Sequence, residues 1–291
     1  MVQTATTGNL ANAQRIVVNT TRYTEEHNAP AMALTEQFSL GKGNKSVTVP
    51  KVAQMTIVDL VDGQDIVDTE EIGMTTVDLT AAEVGAKVVL TDVLVLQSVD
   101  NVFRMVGRQL GDGMARKKDQ DVIALYSGLN GGVALGLTTK PLSAPNWAGC
   151  IAHAKAQKFG MSSVYGIHHP NAIANYIKQA AITGTTLAPA DRGYTVDLIK
   201  NFYSGLRPLN GIPLFEDGNI TEDGNGDGEG AIASRDAMAT LNSVKMKTER
   251  QRDASLRGTE VVMTAHYGVF ELDETKGAPM LYDVSAPSTS A

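Results

Sequence analysis

A ribbon of short β-strand patterns between residues 39 and 90 constrains this chain more than any other feature. Apolar and polar residues alternate in four segments separated by turn residues, namely Val47–Pro50, Thr56–Leu60, Thr75–Leu79 and Lys87–Leu90. The alternation predicts strands that are covered on one face only. Paired into one long ribbon with little else nearby in sequence, such strands are marginally stable in water. We therefore expect the ribbon to pack on another domain or on another subunit.

The segments on either side of this ribbon have different patterns. Residues 1–30 are rich in Thr, Asn and Ala, which predicts an extended arm that becomes ordered only against something else. From about Ser98 to Leu129 apolar residues recur every four positions, which predicts one long amphipathic helix. Three glycines inside it predict a bend or close packing: Gly107, Gly111 and Gly113.

The remainder of the chain mixes helix and strand patterns around an acidic, glycine-rich loop at Glu216–Gly230. Two further helices are predicted, at Trp147–Phe159 and Pro170–Ala181. Strands are predicted at Val164–His168, Ile212–Phe215, Ala231–Ala233, Thr259–Ala265 and Gly268–Leu272.

Composition excludes several classes of function. Of 291 residues, 43% are hydrophobic, which is enough for a sizeable core. The chain has 32 acidic and 25 basic residues, and this net charge of −7 argues against tight, sequence-reading nucleic-acid binding. The single cysteine, Cys150, cannot form an internal disulfide or a cysteine-based zinc site, and we expect it to be buried. No apolar stretch is long enough to cross a bilayer, so we expect no membrane contact.

One segment resembles a phosphate-binding loop in part. It comprises Gly41, Lys42, Gly43, Asn44, Lys45 and Ser46. The motif requires a glycine where Asn44 stands, and it opens a helix, whereas a strand pattern follows here. We therefore interpret this segment as the solvated tip of the ribbon.

A second segment, Asp223–Gly228, matches the first half of a calcium loop. Asp223, Asn225 and Asp227 place oxygen ligands at alternate positions, as such a loop requires. The twelfth position, where the motif needs a bidentate Glu, is Ser234. An ordinary acidic turn is the favoured interpretation, and weak cation binding is the alternative.

The histidines and serines give no local sign of catalysis. His168 and His169 are adjacent, so their rings point to opposite sides of a strand and cannot jointly hold a metal. No serine has a nucleophile-elbow context, and no Cys/His signature is present. We therefore expect no catalytic residues and no cofactor. A metal-dependent enzyme that uses Asp223, Asp227 and distant histidines is kept as a minor alternative.

Five groups of residues follow one another along the chain in a distinctive order, and the last of them is Gly211–Phe215. The earlier ones are Phe38–Lys51, Thr75–Leu79 with Lys87–Asp92, Val106–Asp121 and Tyr165–Pro170. In that order they resemble the extended loop, the spine helix and the axial-domain strands of the tailed-bacteriophage major capsid proteins of the Hong Kong 97 type. The resemblance covers about residues 30 to 280 and rests on order and spacing rather than on any one motif.

The resemblance implies an α+β fold of the Hong Kong 97 capsid type. Its parts would be an N-terminal arm, an extended β-hairpin loop, the spine helix of a peripheral domain, an axial domain, and returning strands with a C-terminal tail. The corresponding residues are 1–30, 31–90, 91–139, 140–238 and 239–291.

The same resemblance implies a structural protein rather than an enzyme. Such a subunit assembles with itself into pentamers and hexamers of an icosahedral phage head, the capsid of the virion, in the host cytoplasm. Its partners would be a separate scaffolding protein, since only a short arm precedes the loop, a portal protein, and packaged double-stranded DNA bound non-specifically. An encapsulin-like compartment of the same fold is the alternative.

We expect three groups of residues to make inter-subunit contacts. The first is the turn of Gly41, Lys42, Gly43, Asn44 and Lys45. The second lies on the long helix and comprises Arg104, Arg108, Arg116 and Lys117. The third belongs to a basic segment for which phosphate contact and a solvated face are open alternatives, and it comprises Lys245, Lys247, Arg250 and Arg252.

Overall fold

The computed structural model describes residues 29–41, 43–52, 59, 73–97, 102–157, 159, 163–186 and 212–287. The predicted arm up to residue 28, and most of the strand predicted at Thr56–Leu60, lie outside the described residues. Helices and strands are both abundant, and the described strands form a four-stranded sheet, a five-stranded sheet and a two-stranded hairpin. The α+β class predicted from the sequence is confirmed.

The elements are numbered here in chain order. The helices are α1 (Ala31–Leu34), α2 (Asp92–Gln97), α3 (Val102–Ile123), α4 (Ala144–Ala156) and α5 (Pro170–Thr186). The strands are β1 (Glu36–Ser39), β2 (Ser46–Val52), β3 (Met74–Thr80), β4 (Ala82–Thr91), β5 (Leu135–Gly136), β6 (Val164–His168), β7 (Leu214–Glu216), β8 (Asp227–Ser234), β9 (Met238–Asp253), β10 (Gly258–Glu271) and β11 (Gly277–Asp283). Single 3-10 turns occupy Tyr126–Gly132, Arg235–Ala237 and Glu274–Lys276.

The four-stranded sheet has the order β1-β9-β10-β4, with β1 parallel to β9 and the other pairs antiparallel. Its strands β9 and β10 form a long hairpin, and β10 is continuous where the sequence predicts two separate strands. Helix α3 covers one face of the sheet, where Met114 packs with Met263, Ala265 and Tyr267.

Helix α3 is shorter than the predicted helix. It has 22 residues, about 33 Å of axial length, and it ends at Ile123 in a 3-10 turn rather than at Leu129. It runs without interruption through Gly107, Gly111 and Gly113, and a Cβ at any of these glycines would meet no atom within 4 Å. Within the described residues nothing therefore packs closely against these three glycines, and the predicted bend or close packing there stays a prediction.

The hairpin formed by β2 and β3 contains two strands of the predicted ribbon, whereas the predicted strand Lys87–Leu90 lies in β4 and pairs with β10 in the four-stranded sheet, so its assignment to the ribbon is wrong. Its register runs from Ser46 opposite Thr80 at the base to Val52 opposite Met74 at the distal end. Leu79 is fully buried in a small cluster with Ala239 and Leu241 of β9. The base of the hairpin therefore packs on the body of its own chain.

The five-stranded sheet has the order β5-β11-β8-β6-β7 and packs with α4 and α5. Its main core cluster contains the fully buried Trp147 and also Cys150, whose predicted burial is confirmed. The last strand, β11, pairs with β8 in this sheet, although the sequence analysis groups residues 239–291 with the returning strands. The chain thus passes to the four-stranded sheet at β9 and returns to the five-stranded sheet at β11.

Candidate assembly surface

The hairpin changes from buried to exposed along its length. Leu79, near the base, has no exposed surface, whereas the facing pair Val52 and Met74 at the distal end are 58% and 60% exposed. A cavity of about 680 Å³ lies between the hairpin and the body. Lys51 and Asp273 both line it, and their side chains form an ion pair at 2.7 Å. The distal hairpin therefore offers apolar side chains that its own chain does not cover within the described residues.

Strand β9 has an open edge along its distal half. Strand β1 pairs only with residues Ala239 to Asn242 of β9, and β10 occupies the other side. From residue 243 to Asp253, no strand of the described chain pairs with that edge. An open edge presents free backbone N–H and C=O groups, so it is a template for pairing with another chain.

The basic residues of β9 divide between the two faces of the strand. Arg250 lies over the ring of Phe103 at 5.2 Å, and Arg252 makes two hydrogen bonds of 2.5 and 2.7 Å to Asp92. Both arginines are thus engaged by helices of their own chain. Lys245 and Lys247 lie at alternate positions of β9 and are exposed, and Lys247 pairs with Glu249 of the same strand.

The predicted basic residues of α3 all lie on its exposed side. They are Arg104, Arg108, Arg116 and Lys117. Lys117 binds Asp121 at 2.5 Å, one turn further along the helix. Exposed pairs of this kind contribute about 0–1 kcal/mol to stability.

The Gly41–Lys45 segment is a turn between β1 and β2. The Asn44 amide donates to the Gly41 carbonyl at 3.1 Å, and Gly43 has a φ of 92°, a conformation that favours glycine. This turn lies at the base of the hairpin, because the register places Val52 and Met74 at the other end. The prediction that it forms the ribbon tip is therefore wrong. Lys42 lies outside the described residues.

The acidic loop uses its oxygens to hold its own backbone. Asp223 Oδ1 accepts hydrogen bonds from the amides of Asn225 and Asp227, each at 2.8 Å, and these bonds hold the pKa of the Asp223 carboxyl below its usual range. Asp227 Oδ1 accepts from the Thr139 amide at 2.7 Å. The three predicted ligands therefore form an Asx-type turn, and within the described ranges no three His, Cys, Asp or Glu side chains are grouped to hold a metal.

The paired histidines and the cysteine have structural surroundings. His168 is buried, its Nδ1 accepts from the His169 amide at 2.9 Å, and its Nε2 lies 3.2 Å from the Met280 carbonyl oxygen. The Cys150 sulfur lies 3.4 Å from the Tyr282 hydroxyl, and burial raises the pKa of this thiol. Among the helices that the structure describes, none is long and apolar enough to span a membrane.

The burial of Asp119 was not predicted from the sequence. Asp119 lies among charged residues of the long helix, yet it has no exposed surface and accepts hydrogen bonds from the Ala31 and Met32 amides. The only signal in the sequence is its spacing, since Val122 and Tyr126 follow it at three and seven residues and are both buried.

Comparison with solved structures extends over nearly the whole chain. The capsid asymmetric unit of cyanophage Pam1 matches with a TM-score of 0.71 and 10% identity, covering 92% of this chain and 95% of that one. A structure from Mycobacterium phage Che8 gives 0.68 and 12%, covering 92% and 96%. The SrpI encapsulin of Synechococcus elongatus gives 0.63 and 13%, covering 96% and 98%.

Comparison of the sequence alone gives no relative. No protein-family model matches it, and no curated protein matches it. The likeness therefore lies in three dimensions, at identities of 10–14% in the matches to phage capsids and to an encapsulin. The predicted fold is confirmed: the chain has the fold of phage capsid proteins, which an encapsulin shell shares.

Proposed function

We propose that the chain is the structural subunit of a closed protein shell, the major capsid protein of a tailed bacteriophage. It assembles with itself into pentamers and hexamers of an icosahedral head that encloses double-stranded DNA, and it performs no catalysis. The observation that carries this proposal is the end-to-end fold match, which covers 92–98% of this chain and 91–98% of the matched capsid and shell chains.

Surfaces left open within the described chain support self-association. The distal hairpin exposes Val52 and Met74, and the outer half of β9 has an unpaired edge. Contacts between copies that join two different surfaces are heterologous, and heterologous contacts close into rings where the rotation between copies allows it. The exposed basic residues of α3 and of β9 would lie at such contacts.

The proposed division of labour follows the two sheets. The five-stranded sheet with α4 and α5 forms the axial domain near the ring centre. The four-stranded sheet with α3 forms the peripheral domain, and the β2–β3 hairpin with residues 1–30 reaches the neighbouring subunit. Assembly uses a separate scaffolding protein and a portal protein, and the mature particle is the virion capsid.

Assembly of the purified chain, with and without the scaffolding protein encoded beside it, tests the proposal. We expect closed particles by electron microscopy and a fast-sedimenting species by ultracentrifugation. A chain that stays monomeric at high concentration in both conditions contradicts the proposal.

A pair of hairpin variants makes this test specific. Val52→Asp with Met74→Asp places two charges where the apolar pair is exposed, and we expect particle yield to fall at least tenfold. Val52→Thr with Met74→Gln is the uncharged control and should lose less. Both variants should keep the wild-type circular dichroism spectrum, because the side chains are more than half exposed.

An encapsulin-like compartment is the second candidate, because the SrpI match covers 96% of this chain and 98% of that one, which lies within the range of the phage matches. The two candidates differ in what the shell encloses. Nuclease-protected double-stranded DNA in native particles supports the phage head, and a co-purifying enzyme in place of DNA supports the compartment. The negative net charge of −7 fits either, since it limits adhesion of the shell to DNA.

A further inference from the structure

Two buried carboxyl groups meet where three parts of the chain come together. Asp119 of α3 and Asp217, which follows β7, have no exposed surface. Asp119 Oδ1 accepts from the Ala31 amide at 2.9 Å and from the Met32 amide at 3.4 Å, and its Oδ2 accepts from the Asn219 side chain at 3.0 Å. Asp119 thereby ties the first turn of α1 to the long helix and to the five-stranded sheet.

Asp217 is only half satisfied by its neighbours. Its Oδ1 accepts from the Asn219 amide at 2.9 Å, while its Oδ2 is buried and accepts no hydrogen bond from the described residues. Asp119 and Asn219 are the side chains that act on Asp217, and Asp119 offers no donor when it is ionised. Two ionised carboxylates in contact inside a protein repel each other, so one proton held between them is the lower-energy arrangement.

We infer that Asp119 and Asp217 share one proton, and that this proton closes a latch which holds α1 against α3 and the turn after β7. The Asp217 hydroxyl donates to Asp119, which satisfies the buried oxygen that otherwise meets no donor. Asp119 keeps its hydrogen bonds from the α1 amides. Loss of the proton places a second buried charge beside the first and opens the latch.

Two buried tyrosines lie near the pair. Both carboxyl groups act electrostatically on Tyr126 in the turn after α3, and so does Tyr165 of β6; burial raises the pKa of each phenol. Arg235 acts on Tyr165, and among the described residues no salt bridge reaches either carboxylate. Burial and the neighbouring Asp119 raise the pKa of Asp217 to about 8.

The direction of the pH effect follows from that shift. The folded chain keeps the proton on Asp217 up to about pH 8, whereas the unfolded chain loses it near pH 4. Because the folded state binds more protons between these values, the stabilisation is complete in acid and is lost as the pH rises through about 8. The latch is therefore closed at neutral pH and opens in alkali.

Hydrogen exchange of the α1 amides in the full-length chain tests the latch. After correction for intrinsic exchange, we expect protection of Ala31 and Met32 to fall on the order of tenfold between pH 7 and pH 9, since one unit beyond the pKa is a factor of ten. Asp217→Asn keeps a donor toward Asp119 and should hold the protection constant across this range. Glu216→Gln, one residue away on an exposed side chain, is the matched control and should keep the wild-type response.

Infrared spectroscopy of the unmodified chain gives a second measurement that needs no variant to fold. A protonated carboxylic acid has a carbonyl stretch distinct from that of carboxylates, and the wild-type band at pH 7 should disappear on titration through pH 8. Absence of that band, or an Asp217→Asn chain whose α1 protection still falls with pH, would overturn the shared proton. Both readouts are internal to the subunit, so they stand apart from the shell assembly proposed above.

Discussion

The structure allows the contribution of one contact to stability to be worked out, namely the packing of the base of the hairpin on the four-stranded sheet. Leu79 of β3 is fully buried against Ala239 and Leu241 of β9, and the other members of its cluster are only half-buried. Replacing Leu79 by Ala removes the central apolar contact between the hairpin and the four-stranded sheet. We expect this variant to lose more stability than any other single truncation in the hairpin.

The magnitude follows from burial and from what surrounds the side chain. A buried Leu→Ala change costs about 2–5 kcal/mol, of which part is the cavity that the neighbours fail to fill. Here the two buried neighbours, Ala239 and Leu241, lie where β9 is paired on both sides. This backbone is held in place, so we expect the gap to close only in part, at a loss of about 3–4 kcal/mol.

Denaturant unfolding of the purified chain, under conditions that keep it monomeric, measures this loss with two signals. Circular dichroism reports the whole fold, and the fluorescence of Trp147, the single tryptophan, reports the five-stranded sheet. Met74→Ala is the control, because Met74 lies on the same strand, is similar in size and is 60% exposed, and it should cost less than about 0.5 kcal/mol. A Leu79→Ala loss below about 1 kcal/mol would refute the packing of the hairpin base on the body.

Three further predictions concern the body of the subunit. Burial lowers the pKa of His168 to about 4, so the stabilisation by neutral His168 is present above the unfolded pKa near 6.5 and is lost as the pH falls toward 4. His168→Gln keeps a donor to the Met280 carbonyl, and it should weaken the acid dependence of the unfolding midpoint. Gly230→Ala would place a Cβ 2.2 Å from a backbone carbonyl oxygen of β6, and it should destabilise the fold by about 1–3 kcal/mol or more in thermal unfolding. Lys51→Met removes the ion pair with Asp273. Because Lys51 is 45% exposed, the change should lower the free energy of unfolding by less than about 1 kcal/mol, and this loss should be smaller at high salt.

The elements that could be predicted from the sequence are those whose secondary structure follows from the local pattern of apolar and polar residues. Strand β3 is predicted by its alternation, and β6 is predicted at its observed bounds, Val164–His168. Helix α3 is predicted by its four-residue repeat, but the position of its end is not. The repeat persists beyond Ile123, whereas the structure changes there to a 3-10 segment with positive φ at Asn130 and Gly131. The apolar side chains after Ile123 therefore pack from this segment and not from the helix.

The features that could not be predicted depend on partners distant in sequence. The Gly41–Lys45 turn has the composition of a hairpin tip, and only the register of β2 with β3 shows that it stands at the base. Strand β11 has no local signal for its sheet, since its pairing with β8 spans more than forty residues. In the sequence, Asp119 looks like an ordinary charged residue on the polar face of a helix. Its burial could not be predicted, because the amides that donate to it belong to α1, 87 and 88 residues earlier.

The latch and the hairpin meet in the short segment that begins with α1. This segment is tied to α3 by Asp119, continues into β1 at the edge of β9, and then turns at Gly41–Lys45 into the hairpin. The start of β9 is covered by β1, while its outer half remains open and the distal hairpin remains exposed. A chain built in this way fixes the base of the hairpin and the start of β9 to its own core, while the outer half of β9 and the far end of the described hairpin stay uncovered by the described residues. Rigid bases with open ends are what contacts between copies require, because they set the direction of each contact before the partner arrives.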